Sequence, residues 1–157
     1  MKKATWLKSA LFALLSSSFL SLPVSAQEDI GSKLPADVRA LLIQEMVAIL
    51  GATQSITDAM IRGDDEIVAT QAQRIHDSFI LAQELTDEQH TALVNAASEE
   101  FLEKDGAFHA MGAALAEAAR AGDKPRQQEI FFQMQAACVA CHTDHAAQRF
   151  PGFQASR

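Results

Sequence analysis

The chain has no tyrosine, a single tryptophan and only two cysteines among its 157 residues. Runs of alternating β-branched and aromatic residues, which are typical of strands, are also scarce. Alanine, leucine, glutamine and glutamate, which are strong helix formers, are abundant instead. The sequence contains no nucleophile elbow, no glycine-rich phosphate loop and no zinc-protease helix. These absences predict an all-α protein, and we do not expect an enzyme.

Basic residues are few as well. The 13 Lys and Arg residues face 20 Asp and Glu residues, so the formal net charge is −7 at pH 7. Proteins that bind nucleic acid neutralise its phosphates with clustered Lys and Arg, so we expect no nucleic-acid partner. An acidic surface suits a basic docking protein, or serves only to keep the chain soluble.

The first 26 residues have the layout of a secretory signal peptide. Three lysines precede an apolar stretch, and Val24-Ser25-Ala26 offers small residues for cleavage after about Ala26. An uncleaved anchor is the alternative, but the stretch is short for a hydrocarbon core of ~30 Å and is diluted by three consecutive serines. We therefore expect residues 1–26 to be removed and residues 27–157 to form one domain in the periplasm, without a later membrane span.

Capping signals and apolar periodicity divide the remaining chain into four long helices with tight turns between them. Thr86 and Gln89 match a capping box at the start of the third. Short connections make consecutive helices antiparallel, which predicts an up-down-up-down four-helix bundle. The predicted helices are at 34–62, at 65–85, at 87–121 with a break near 105–106, and from Asp123 to about 147.

Both cysteines lie near the C-terminus, in the run Cys138-Val139-Ala140-Cys141-His142. Residues spaced i, i+3 and i+4 share one face of a helix. Two thiols with that spacing can add to the two vinyl groups along one edge of a haem, and the histidine that follows can bind its iron. Phe131 and Met134 continue the same stripe, which turns the thiols towards the core. The motif predicts one covalent haem c near the C-terminal helix, with Cys138 and Cys141 as thioethers and His142 as the proximal iron ligand.

Three other interpretations compete with haem. A disulfide would explain two cysteines in an exported protein but not His142. A zinc site is the sharper rival, because His145 completes Cys-x-x-Cys-His-x-x-His and tetrahedral zinc accepts two thiolates and two imidazoles. Four ligands from so short a helical segment converge poorly, however. A thioredoxin-like dithiol needs a βαβ context, which the sequence does not show.

A four-helix pattern with Cys-x-x-Cys-His near its C-terminus resembles the class II c-type cytochromes, the cytochrome c-prime and cytochrome c-556 group. The resemblance covers about residues 34–150 in helix pattern, and only Cys138, Cys141 and His142 match specifically. It implies haem attachment and proximal ligation by those three residues. Homodimers, often formed through the first two helices, are common in this family and are an expectation here.

The family divides by its sixth iron ligand, which is a methionine of the first helix in low-spin members and is missing in high-spin members. Met46 lies on the apolar seam of the first helix and is the candidate distal ligand; core packing is the other interpretation. In the family an arginine commonly precedes the distal position by four residues. Counting from Arg39 reaches Ile43 instead, so the chain departs from the pattern.

Two functions correspond to these two coordination states. With Met46 bound to iron, the protein is a periplasmic carrier of single electrons that docks redox partner proteins. With five-coordinate iron, it binds NO or CO in a distal site walled by apolar residues of the first helix. The candidates for that wall are Ile43, Val47 and Leu50.

The remaining histidines and arginines have less specific interpretations. His109 is a distal ligand, a neighbour of a haem propionate or a residue at the core boundary. His145 lies near the haem edge or on the helix surface. His76 and His90 are expected at the surface or at the core boundary. The candidates to pair with the haem propionates are Arg39, Arg74 and Arg120.

Overall fold

The structure is a computed structural model that describes residues 29–78 and 85–153. These ranges contain six α-helices, a C-terminal 3₁₀ turn at Pro151–Phe153 and no strand. The all-α prediction is therefore confirmed for the described ranges. The predicted signal peptide lies outside them. The helices are α1 (Ile30–Lys33), α2 (Ala36–Arg62), α3 (Asp65–Asp77), α4 (Asp87–Ala96), α5 (Glu99–Arg120) and α6 (Lys124–His145).

The turn between α2 and α3 forms where the sequence predicts it. Gly63 ends α2 with a left-handed φ of 74°, a conformation that glycine adopts at little cost. Asp64 then caps α3 by accepting a hydrogen bond from the amide of Ile67 at 3.2 Å. α3 ends at Asp77, short of the predicted boundary at 85, and residues 79–84 of that prediction lie outside the described ranges.

The third predicted helix is divided at a different place from the one expected. The capping box of Thr86 and Gln89 is present, but the break lies at 97–98 and not at 105–106. Ala97 is extended there, and the Ser98 hydroxyl accepts a hydrogen bond from the Phe101 amide to start α5. The prediction was wrong because a glycine inside a helix costs only about 1 kcal/mol, so Gly106 does not interrupt α5.

The main core lies where α3 packs against both α2 and α5, with α6 against α5. The apolar seam predicted for the first long helix runs through six residues of α2. Three of them are buried, Leu42, Ile49 and Ile56, and the other three are half-buried, Met46, Thr53 and Met60. A second apolar cluster joins α1, the start of α2, α4 and the start of α5. Met46 packs against both clusters. The buried side chains of the second cluster are Ile30, Leu34, Val38, Leu42, Leu93 and Phe101.

α2 is also long and apolar enough to cross a membrane, by length and composition alone. Core helices of soluble proteins pass the same test, and α2 carries seven buried residues along its length. It packs against α3, and it carries Glu45 and Met46.

Candidate functional site

The Cys-x-x-Cys-His motif occupies the last two turns of α6. Asp123 caps the start of this helix by accepting a backbone hydrogen bond, and Pro125 lies in the first turn, where its missing N–H is tolerated. The helix continues without interruption through the motif. Cys138 and Cys141 are therefore about one turn apart, and His142 follows on the same face.

Both cysteines are half-buried free thiols. Burial raises the pKa of Cys138, which packs against the main core. Burial also raises the pKa of Cys141 to about 11; the charge of Asp105 adds to this rise and that of Lys104 opposes it. Both thiols are therefore protonated at neutral pH. A redox-active dithiol has a lowered pKa instead, and no disulfide joins the pair.

His142 is half-buried, and burial lowers its pKa, so the imidazole is neutral at pH 7. The ring stacks on Phe150, with centroids 4.6 Å apart and planes inclined by 18°. Phe150 in turn contacts Phe153 edge to face at 6.4 Å, so the chain after α6 folds back over the motif. The stacking of Phe150 covers one flat face of the His142 imidazole and orients the ring. A neutral imidazole is the form that binds metals.

The zinc interpretation gains no support from the arrangement of side chains. His145 is buried at the end of α6 and meets Phe101 edge to face at 5.5 Å. Among the described residues, no group of three or more His, Cys, Asp or Glu side chains is arranged to hold a metal ion. The four residues that a zinc site would need, Cys138, Cys141, His142 and His145, therefore do not form such a group.

Met46 and the residues predicted to wall a gas-binding site all lie on α2, but they differ in burial. Met46 is half-buried between the two core clusters, as its position on the seam predicts. Ile43, Val47 and Leu50 are instead 40 %, 64 % and 58 % exposed. They lie on the outer face of α2, so in this fold they do not line a closed distal site.

Three buried titratable side chains form what we term the buried acid cluster: Glu45 of α2 with Asp105 and His109 of α5. Nε2 of His109 lies 3.3 Å from Oε1 of Glu45 and 3.7 Å from Oδ1 of Asp105. On the opposite side of the ring, Nδ1 donates a hydrogen bond to the carbonyl oxygen of Ile75 in α3. The imidazole thus connects three helices, which excludes a surface position for His109.

Negative charge exceeds positive charge in the buried acid cluster. Its two carboxylates can carry two negative charges, and His109 carries at most one positive charge. Apart from the contact of Glu45 with Nε2 of His109, both oxygens of Glu45 and Oδ2 of Asp105 lack a hydrogen-bond partner within the described residues. Burial and the charge of Glu45 raise the pKa of Asp105 to about 6. Burial alone disfavours the imidazolium, but the Glu45 hydrogen bond and the carboxylate charges raise the pKa of His109 overall.

Sequence reasoning identified only His109 of this cluster. A signal for the other two was present, because Asp105 and His109 are four residues apart on one helix and Glu45 falls on the apolar seam between Leu42 and Ile49. A charged residue on an apolar seam is the pattern that indicates a buried ionic group.

The other predicted side chains lie away from the motif. His76 is exposed, with Nδ1 3.1 Å from the carbonyl oxygen of His109, and His90 is exposed on α4. Arg39 donates to the carbonyl oxygen of Gly31. The guanidinium groups of Arg74 and Arg120 bond to glutamines of α3, Gln71 and Gln73 respectively. These contacts leave none of the three arginines next to Cys138 or Cys141.

Two cavities lie at a distance from the motif. A groove of about 650 Å³ runs between α3 and α5 and is lined in part by Asp65, Gln73, Arg74 and Arg120. A smaller cavity of about 90 Å³ lies beside Ile49 and Ile75. The motif residues line neither of these two cavities.

Comparison with known proteins gives no match to a family model, to a curated protein or to a solved structure.

Proposed function

We propose that this protein is an exported monohaem c-type cytochrome that carries single electrons. The observation that supports it best is the placement of Cys138, Cys141 and His142 on one half-buried face of α6, with two free thiols and a neutral imidazole. Covalent haem attachment takes place on the exported side of the membrane, in keeping with the signal peptide expected at residues 1–26. A class II cytochrome would arrange α2, α3, α5 and α6 as its four-helix bundle, with the haem beside α6.

The residues present fit a covalent haem c. Cys138 and Cys141 would hold it, because a protonated thiol is the group that adds across a vinyl double bond, and His142 would bind the iron. When bound, the haem supplies an iron that alternates between the ferrous and ferric states. Phe150 orients His142 from one side, and the apolar packing behind Cys138 keeps water from that side of the site.

Whether Met46 binds the iron distinguishes the electron carrier from the gas-binding protein. Electron transfer requires a sixth ligand from the protein, and Met46 is a half-buried thioether on α2. Gas binding requires an apolar wall at a vacant distal position. The three residues expected to form that wall are exposed, so the structure favours the electron carrier.

Met46→Leu tests this choice, with Met60→Leu as the matched control. Both methionines are half-buried on α2 and pack against the main core, so both substitutions remove a thioether at similar cost in packing. The absorption spectra of the reduced proteins are recorded with and without CO. We expect the spectra of the wild type and of Met60→Leu to stay unchanged when CO is added. We expect the spectrum of Met46→Leu to shift because this variant binds CO. CO binding by the wild type would instead establish five-coordinate iron.

The outer face of α2 supports a homodimer as the assembly of this cytochrome. Between Arg39 and Asp58 the only charged residue is Glu45, which is buried. An exposed surface of about five helical turns thus lacks charge in a protein of net charge −7, and depletion of charge is typical of interface centres. The partner we infer for the outer face of α2 is a second copy of this chain, because two acidic chains repel each other least where both surfaces are uncharged.

Light scattering on the purified protein tests the dimer. Val47→Glu and Leu50→Glu place a charge at the centre of the proposed interface and should give monomers. Val94→Glu, at a 42 % exposed site on α4, is the matched control and should leave the dimer intact. A monomeric wild type, or a dimer that tolerates both α2 substitutions, would contradict this interface.

A further inference from the structure

The buried acid cluster lies next to the motif that would hold the haem. Phe101, at the start of α5, meets His145 of α6 edge to face, with ring centroids 5.5 Å apart. Lys104, the residue before Asp105, forms an ion pair at 2.7 Å with Asp144 of α6. These contacts place the α5 segment that carries the cluster against the α6 segment that carries the motif.

The cluster also includes the residue that precedes the candidate distal ligand. Glu45 directly precedes Met46 on α2, and Glu45 is 3 % exposed. Apart from the 3.3 Å contact of Oε1 with Nε2 of His109, its carboxylate oxygens have no hydrogen-bond partner within the described residues. A carboxylate in such a position costs free energy unless a positive charge nearby offsets it. His109 supplies at most one positive charge, so one negative charge remains in excess when both Glu45 and Asp105 are ionised.

We propose that Glu45 and Asp105 lower the reduction potential of the haem held by Cys138, Cys141 and His142, by stabilising its oxidised state. This inference rests on the proposed function. The oxidised iron carries one more positive charge than the reduced iron, so fixed negative charges nearby favour it. Because both carboxylates are buried, water and salt screen them less than they screen an exposed acid.

Spectroelectrochemical titration of the purified holoprotein at pH 7 measures this effect. Glu45→Gln and Asp105→Asn remove one charge each with little change in shape. Glu45→Asp keeps the charge but shortens the side chain, so it separates an electrostatic role from a packing role. Asp58→Asn on the same helix removes an exposed acid that pairs with Arg62 and is the control for surface charge.

We expect a more positive midpoint potential in both Glu45→Gln and Asp105→Asn. The shift should be more than about fourfold larger than in Asp58→Asn, because the effective dielectric constant is ~20 inside the protein against ~80 in water and because Asp58 also lies further along α2. Glu45→Asp should keep the wild-type potential. Unchanged potentials in the two neutral variants, or an equal shift in Glu45→Asp, would overturn the inference. A wild-type protein without haem would instead refute the proposed function itself.

Discussion

Gly112 marks the closest approach of α5 to α3. A Cβ added there would lie 3.0 Å from the carbonyl oxygen of Ala72, 3.0 Å from the amide nitrogen of His76 and 3.3 Å from Cγ2 of Ile75. Two of these three atoms belong to the helix backbone, which cannot rotate away as the end of a flexible side chain can. We predict that Gly112→Ala pushes the two helices apart and destabilises the fold.

The size of the effect follows from two opposing contributions. Replacing glycine by alanine inside a helix gains about 1 kcal/mol of helix propensity, whereas forcing a methyl group into a packed interface costs about 1–3 kcal/mol. Gly106→Ala is the matched control, because Gly106 lies in the same helix and an added Cβ there meets no atom within 4 Å. The propensity gain is common to both variants. Gly112→Ala should therefore be about 1–3 kcal/mol less stable than Gly106→Ala.

Urea denaturation followed by circular dichroism measures this difference in the free energy of unfolding. The comparison of the two variants is more informative than either value against wild type, because the helix-propensity term cancels. If Gly112→Ala proved as stable as Gly106→Ala, the close contact between α3 and α5 would be wrong, and with it the packing that positions His109 through Ile75.

Three further predictions concern a helix cap and two buried groups. Thr86→Ala removes the hydroxyl that accepts from the Gln89 amide and should cost about 1 kcal/mol in urea denaturation, while Thr91→Ala, in the exposed interior of α4, should not destabilise. The folded-state pKa of Asp105 is raised from 3.8 to about 6, so between these pH values the folded protein binds more protons than the unfolded chain. The stability contribution of Asp105 therefore falls as pH rises through pH 4–6. Asp105→Asn should abolish that fall, worth up to about 3 kcal/mol, and equal pH dependence in variant and wild type would refute it. In the haem-free chain, alkylation of Cys141 should keep accelerating with pH up to about 11. A rate that levels off just above pH 9, the ordinary pKa of a thiol, would show that the thiol is not buried as described.

Local signals predicted the turn between α2 and α3 and the start of α4. Gly63, Asp64 and the Thr86–Gln89 capping box each act through residues three or four positions away, and such contacts can be read from spacing. The break in the third predicted helix was expected at Gly106, which weakens a helix, whereas the residue that caps a new helix is Ser98. The acidic first turn after Ser98, at Glu99 and Glu100, favours a new start there.

The candidate site was predictable only where its residues are close in sequence. Cys138, Cys141 and His142 share a face because of helix geometry alone. The buried acid cluster depends on how α2 packs against α5, which no spacing within either helix reveals. The outward orientation of Ile43, Val47 and Leu50 has the same origin: α2 buries the face that carries Leu42 and Ile49, and only the packing partner decides which apolar side is buried.

The most direct test of the central claim is whether the exported chain carries haem that survives denaturation. The full-length sequence is expressed in a host with haem-maturation machinery, and the denatured chain is examined by mass and by haem absorbance. We predict one haem per chain that remains attached in the wild type and is lost when Cys138→Ala and Cys141→Ala are combined. A chain without haem, or haem that separates from the wild-type chain on denaturation, would contradict the assignment of this protein as a c-type cytochrome.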